Sequence, residues 1–321
     1  MARIDGPAQL VLTAAVARRY YLEDASKVEI AEEYGLSRFQ VARMLEKARA
    51  SGLVQIVISA PGTVNLELSS QLKRAYGLKH AVVIDSPEHG PAALRADLGK
   101  AAAALLTEIV TVNDVLGLAW SRSVSAVIKE LTGLHSVPVV QLTGSLARPD
   151  DEDSSVDLVR QVGRKFGGPA YFFFAPTIVP DGATLRALRT IPQIAGTLQQ
   201  FDSITKAVVG LGLWAPAEST VYDATEAGVR DDMRGRGVCG EIAGVFVDSA
   251  GQPVETNLRD RMICPSADQL RAIPEVLAVA YNTVRGPLVK AAIRGGMVNS
   301  VVTHSSLART MLEDTTTPDT L

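Results

Sequence analysis

Four short runs carry residue types suited to gripping a small anion or a polyol. Gly117-Leu118-Ala119-Trp120-Ser121-Arg122-Ser123 puts two hydroxyls and a guanidinium where a predicted strand gives way to a predicted helix. The first amides of a helix lack intrahelical partners and the dipole is positive there, so an anion such as phosphate is favoured. Gln141-Leu142-Thr143-Gly144-Ser145 follows another predicted strand. Val209-Gly210-Leu211-Gly212 and Gly237-Val238-Cys239-Gly240-Glu241-Ile242 are further glycine-bearing runs, read as loops. In open α/β sheets, ligands lie beyond the carboxyl ends of the strands, where such loops gather. Taken singly, each run is also an ordinary strand-to-helix connection. No GxxxxGK[ST] occurs, so a nucleotide is not the favoured ligand.

A second set of residues suits a polyanion. Ser37, Arg38, Gln40, Arg43, Lys47 and Arg49 share one predicted helix with a single acid, Glu46. A helix of this kind presents its N-terminal residues to base edges in the major groove. Arg38 and Arg43 suit guanine and Gln40 suits adenine. Ser37 and the helix N-terminus suit a phosphate. A three-helix packing element with a merely solvated basic face fits the same residues.

The elements that must position these groups are legible around them. Ser26-Lys27-Val28-Glu29 and Ser37-Arg38-Phe39-Gln40 are both capping boxes, in which two side chains satisfy each other's free backbone amides. Gly35 between them predicts a left-handed helix end. Together they mark two short helices joined by a tight turn, the helix-turn-helix pattern over residues 26–51. Gln9–Leu22 predicts a preceding helix, and Val41, Met44, Leu45 and Ala48 form the buried face of the last one. Gly52 stops it, and Leu53–Ile58 is rich in β-branched residues and predicts a short wing strand.

Ala60-Pro61-Gly62-Thr63 breaks the pattern, so the organisation reads as residues 1–60, residues 61–314 and a polar tail at 315–321, expected to be disordered. Beyond a connecting helix at Leu66–Tyr76, strand candidates alternate with helices. The strands are His80–Asp85, Val115–Ala119, Val137–Leu142, Ala170–Phe174, Ala207–Leu211, Val276–Tyr281 and Asn299–Thr303. The helices are Pro91–Thr111, Ser121–Leu131, Ser154–Phe166, Val284–Arg294 and Ser305–Leu312. Continuously apolar strands between amphipathic helices predict an α/β fold, doubly wound around a mostly parallel sheet.

Composition narrows the classes. The 321 residues are 47% hydrophobic but only 5% aromatic, so the core is built from Ala, Val, Leu and Ile. The net charge of −3 restricts nucleic-acid binding to a local patch. Cys239 and Cys264 are far apart and form no CxxC, so neither a zinc site nor a disulfide framework is expected. The N-terminus lacks a signal-peptide core and no apolar run reaches a membrane span, which predicts a cytoplasmic protein with no membrane partner. His80, His89, His135 and His304 are scattered and read as surface or satisfied side chains, so no metal is expected. Asp150-Asp151-Glu152-Asp153 reads as a solvated loop, or a gate to the pocket. Arg230–Arg236 reads as a mobile loop whose Arg234 and Arg236 stay at the surface.

The same residues carry a resemblance. Arg18-Arg19-Tyr20-Tyr21, the element from Ile30-Ala31 to Arg43-Met44-Leu45, and Gly52-Leu53-Val54-Gln55-Ile56 resemble the N-terminal domain of SorC-type bacterial regulators. Gly117–Ser123, Val140–Gly144, Gly240-Glu241-Ile242 and the stretch from Arg271-Ala272-Ile273-Pro274 to Arg294–Asn299 resemble motifs of that family too. The likeness covers residues 8–312. It implies a sugar-binding domain related in fold to sugar-phosphate isomerases, no cofactor, and a phosphorylated sugar or polyol as effector. It also implies a dimer or tetramer on operator DNA. By position, Ser121, Arg122 and Ser123 would hold phosphate, with Gly144 and Gly210 in the neighbouring loops. Gln141 and Glu241 would meet sugar hydroxyls. Arg285 stands where many members have Lys, which keeps the charge and excludes a Schiff base there. Trp120 either lines the sugar pocket or covers the core.

The competing reading is a sugar-phosphate isomerase-like enzyme with a helical appendage, for which Glu241 lacks an evident acid–base partner. A scaffold would bind neither DNA nor sugar. The DNA-docking reading predicts that Arg43→Ala lowers operator affinity. A base-contacting arginine is worth about 1–3 kcal/mol of discrimination. A filter-binding comparison in which affinity and sequence preference both survive would move the docking face elsewhere.

Overall fold

A computed structural model describes residues 6–54, 63–86, 90–146 and 154–313. The chain divides into two units, Met1–Ser59 and Ala60–Leu321. The first holds helices α1 (Pro7–Tyr21), α2 (Lys27–Tyr34) and α3 (Arg38–Ala50). Both predicted capping boxes form. Ser26 Oγ accepts from the Glu29 amide and Glu29 Oε2 accepts from the Ser26 amide, and Ser37 and Gln40 exchange the same pair of bonds. Gly35 closes α2 at φ +65°, where a Cβ would be strained. Val16, Ile30, Val41, Leu45 and Ala48 make the core of this unit. Arg19 ties α1 to α2 through Glu33 at 2.8 Å. Leu53 and Val54 are not in a strand, and the rest of the expected wing, 55–58, lies outside the described residues. So do His89, the acidic run at 150–153 and the tail at 315–321.

The second unit opens with α4 (Leu66–Tyr76), β1 (His80–Ile84), α5 (Pro91–Ile109), β2 (Leu116–Leu118) and α6 (Arg122–Glu130). It continues through β3 (Val139–Gln141), α7 (Ser155–Phe166), β4 (Ala170–Tyr171), α8 (Gly182–Arg189) and α9 (Pro192–Gln199). Next come β5 (Lys206–Val209), β6 (Leu211–Leu213), α10 (Thr220–Asp223), α11 (Ala227–Gly235), β7 (Gly240–Ile242) and β8 (Val245–Val247). The last elements are α12 (Ala267–Ala272), β9 (Glu275–Val279), α13 (Gly286–Arg294), β10 (Ser300–His304) and α14 (Ser305–Glu313).

Seven strands form one sheet in the order β1-β10-β9-β5-β2-β3-β4, every pair parallel. Successive strand residues feed opposite faces. Val276 and Ala278 pack with Leu72, Leu288 and Leu307 on one side, while Leu277 and Val279 pack with Leu98, Val127 and Leu158 on the other. Burial on both faces explains why these strands read as unbroken apolar runs.

Three expectations are corrected here. The run Val209–Gly212 is not a loop: Val209 ends β5 and Leu211 begins β6, with only Gly210 between them. The run Gly237–Ile242 is not wholly a loop: Gly240–Ile242 is strand β7, central in an antiparallel sheet β6-β7-β8. β7 turns into β8 through Ala243 and Gly244, at φ +49° and +82°. Positive φ at both central residues is the geometry of a tight hairpin, which Asn-Gly announces and Ala-Gly does not. Residues 230–235 lie in helix α11 rather than a mobile loop, with Met233 buried beneath it. Its mixed charges are the i,i+3 and i,i+4 pairs of a helix, Arg234 with Asp231 and Arg236 with Asp232, both at 2.8 Å.

The amino ends of the strands are stitched by a polar row. His80 Nδ1 lies 2.6 Å from Glu275 Oε1, and Ser300 Oγ donates to the same oxygen at 2.6 Å. Lys206 Nζ reaches Glu275 Oε2 at 3.2 Å and Asp114 Oδ1 at 3.8 Å, and Thr205 donates to Asp114. Burial alone would raise the Glu275 pKa, but Ser300, His80 and Lys206 together hold it below its ordinary 4.5. A carboxylate depressed in the fold contributes stability above its unfolded pKa and loses it as pH falls through the folded one. Glu275→Gln therefore costs about 1–3 kcal/mol at neutral pH, because its donors are left poorly paired. The deficit shrinks below about pH 4.5, where the wild-type carboxylate itself protonates. Denaturant melts across pH check this, and a deficit independent of pH would contradict it.

Candidate functional site

In the first unit, Ser37, Arg38, Gln40, Arg43 and Lys47 are all exposed on α3. The capping box modifies two of their expected roles. Gln40 Oε1 accepts from the Ser37 amide at 2.7 Å, so one of its two lone pairs is engaged and the side chain is turned back on the helix end. Ser37 Oγ accepts from the Gln40 amide and keeps its own proton for a phosphate. The structure adds Phe39, which is 72% exposed with the Arg38 guanidinium 4.9 Å above its ring. An apolar ring there suits a thymine methyl group. Its signal in the sequence is a large aromatic off the register of Val41, Leu45 and Ala48.

In the second unit, a pocket opens at the carboxyl ends of β2, β3, β5 and β9. Its anion side begins at α6. Ser121 caps that helix, its Oγ accepting from the Val124 amide at 3.1 Å, and Ser123 is buried within its first turn. Gly210, just past β5, lets the neighbouring turn lie on this loop, because a Cβ there would stand 2.5 Å from Ser121 Oγ. Thr143 and Gly144 enter from the end of β3. Trp120 both lines the pocket and packs on the core, so its two readings hold together.

The opposite wall is set by β7. Glu241 Oε1 accepts from Ser219 Oγ at 3.3 Å, and Oε2 accepts from the Gly244 amide at 3.0 Å. Burial pushes the Glu241 pKa up, against these bonds and the Arg285 charge. A carboxyl so placed can meet a sugar hydroxyl as acceptor or, when protonated, as donor. Gly212 makes room for it, since a Cβ there would collide with Glu241 Oε1. Arg285 is buried, with its Cζ 4.9 Å over the Tyr281 ring. Its Nη2 and Nε both bind Glu218 Oε2, at 2.7 and 3.0 Å.

Gathered in this pocket are Trp120, Ser121, Arg122, Ser123, Gly144, Gly210, Glu241 and Arg285. Gln141 is not among the lining residues. Its amide is fully buried, with Nε2 donating to Thr143 O and Ser155 Oγ and Oε1 accepting from the Phe173 amide. It braces the β3 loop. Glu218, Ser219 and Tyr281 line the pocket without having been expected. They follow a helix-capping turn and a strand end, where sequence spacing gives no pocket signal. Gly235–Gly240 matches the spacing GxGxxG, yet it runs from helix α11 into strand β7, the reverse of a dinucleotide-binding turn.

The remaining candidates stand apart from the pocket. His80 is held by Glu275 and His135 is exposed, while His304 is half-buried and its pKa is lowered by burial. Burial raises the Cys264 thiol to about 11, so it is inert at neutral pH. Among the described residues, no His, Cys, Asp and Glu side chains gather into a metal-binding group.

The family profile described as "Putative sugar-binding domain" matches residues 61–313. The chain belongs to this sugar-binding domain family. The sorbitol operon regulator of Klebsiella pneumoniae is 24% identical over 307 residues, covering 94% of this chain and 98% of that protein. The transcriptional regulator LsrR of Klebsiella pneumoniae subsp. pneumoniae is 26% identical over 308 residues, covering 94% and 92%. The crystal structure of the full-length sorbitol operon regulator SorC superposes with a TM-score of 0.72 at 24% identity, over 95% of this chain and 99% of that one. The expected SorC-type architecture, a three-helix domain first and an α/β sugar-binding domain second, is therefore the observed one. Among the described residues no helix is long and apolar enough to cross a membrane.

Gln141→Leu should cost about 1–3 kcal/mol of stability, because the buried Phe173 amide loses its acceptor. Urea denaturation measures it. Weakened ligand binding with stability unchanged would return Gln141 to the pocket.

Proposed function

We propose that the protein is a cytoplasmic, sugar-responsive transcriptional regulator with no catalytic activity of its own. One observation carries this reading: a single chain combines a capped helix-turn-helix with an exposed cationic face and a strand-end pocket equipped for a phosphorylated polyol. Ser121, Arg122, Ser123 and Arg285 supply the anion side, and Glu241 and Thr143 the hydroxyl side. The named relatives, regulators of a sorbitol operon and of the LsrR type, support the same reading. Turnover is disfavoured because, among the described residues, the pocket's lining includes no His or Lys, and its Glu218 and Glu241 carboxylates are committed to bonds within the protein.

Helix-turn-helix proteins read paired half-sites as symmetric assemblies. The protein therefore acts as a dimer or tetramer on operator DNA. The effector works by population shift, binding one geometry of the assembly better than another and so changing its fit to the half-sites. No cofactor is needed beyond the effector.

The test is fluorescence anisotropy on operator DNA, titrated with a panel of hexose, pentose and polyol phosphates. At least one is expected to change operator affinity by about 5–150-fold, the usual span of allosteric coupling. The same compound should raise the melting midpoint of the free protein. A panel that leaves DNA affinity untouched would refute effector control.

A further inference from the structure

The pocket arginines are already answered from within the chain. Arg285 holds the Glu218 carboxylate through Nη2 and Nε, and Nη2 also donates to the Glu218 carbonyl at 3.1 Å. Arg122 Nη2 lies 3.5 Å from the Ala217 carbonyl. Asn282 Nδ2 donates to the other Glu218 oxygen at 3.1 Å. Two consecutive residues, Ala217 and Glu218, thus face both guanidiniums where an anionic ligand would.

Two further observations point the same way. The cavity measures about 60 Å³, room for a few waters, whereas small-molecule pockets span about 300–1,000 Å³. A wall that moves would make room for a sugar phosphate. Backbone strain marks which wall. Among the described residues, positive φ outside glycine occurs at Asp24, Ala217, Ala243 and Asn282. Ala217, at +61°, precedes Glu218, and Asn282, at +75°, is its second anchor. Strained residues persist only where surrounding contacts over-determine them, and they cluster at clamps and switches. The clasp between Glu218 and the Asn282–Arg285 segment supplies such contacts.

Building on the effector reading above, we infer that Glu218 is an internal anion seated on Arg285, and that the phosphate of an incoming ligand displaces it. Carboxylate and phosphate oxygens both match the guanidinium fork, so one replaces the other on the same donors. Release of Glu218 frees residues 215–219, which link β6 to α10, and widens the pocket. The ligand therefore exchanges an anion and moves a segment in one event. Ser219, at the end of that segment, carries the change to Glu241 on the sugar side.

Isothermal titration of the full chain with inorganic phosphate tests this. A clasp closed nine-tenths of the time weakens apparent affinity about tenfold. Glu218→Gln, which keeps the shape but not the charge, should therefore bind phosphate about tenfold more tightly than wild type. Asn282→Gly, which removes the second anchor and tolerates the local φ, should shift affinity the same way by less. Equal or weaker binding in both variants overturns the internal anion and leaves the effector pocket standing. No phosphate binding by wild type or either variant overturns both. If Glu218→Gln lacks a cooperative melt, Asn282→Gly alone decides: tighter binding supports the clasp and unchanged binding refutes it.

Discussion

A parallel sheet buried on both faces has no room for polar chemistry except at its two ends. Leu277, Val279, Val276 and Ala278 are consumed by packing above and below, and so are their neighbours on adjacent strands. Everything charged must sit where strands begin or stop. At the amino end, Glu275 gathers His80, Ser300 and Lys206, and Lys206 passes on to Asp114, so that edge is closed by its own partners. At the carboxyl end, the loops after β2, β3, β5 and β9 leave guanidinium, hydroxyl and carboxyl groups facing a shared space. One edge is spent on stability, and the other is left for ligands.

The small antiparallel sheet is what turns that open edge into a pocket with two sides. Strand β7 carries Glu241 across from the α6 N-terminus, and glycines at 210 and 212 let the walls approach. Electrostatic asymmetry follows from placement alone. Cations lie by the helix N-terminus, where the dipole already favours an anion. The carboxyl group lies on the far wall, buried enough to be raised. A molecule with phosphate at one end and hydroxyls at the other matches this polarity, although the chain as a whole is acidic.

Much of this was legible in the residues because local rules were obeyed. Ser26 with Glu29 and Ser37 with Gln40 announce their helices through side chains that can do little else at that spacing. Ser121 was legible for the same reason, as a cap after an apolar strand. What escaped was set by tertiary contact. Ala243-Gly244 makes a hairpin turn without the usual turn residues, which hid β7 inside an apparent loop. Gln141 was placed in the pocket by the family resemblance, but its amide turns back to bind the Phe173 amide and the Thr143 carbonyl. Glu218 sits in a stretch with no periodicity, and only the fold brings it to Arg285. The charges of α11 suggested a loop until their i,i+3 and i,i+4 pairing showed a helix.

The capping box on α3 has a consequence for the information that this helix would extract from DNA in the proposed docking. Gln40 holds the first turn of its own helix through Oε1, and a side chain that swings out toward an adenine edge gives up that bond. Losing a cap costs about 1 kcal/mol, comparable with the lower end of what a bidentate base contact returns. Under Gln40 the two terms nearly cancel, and the operator is free to vary. Under Arg43, which carries no such duty, they do not. In that docking, the consensus operator would be sharply written beneath one side chain and blurred beneath its neighbour a turn away.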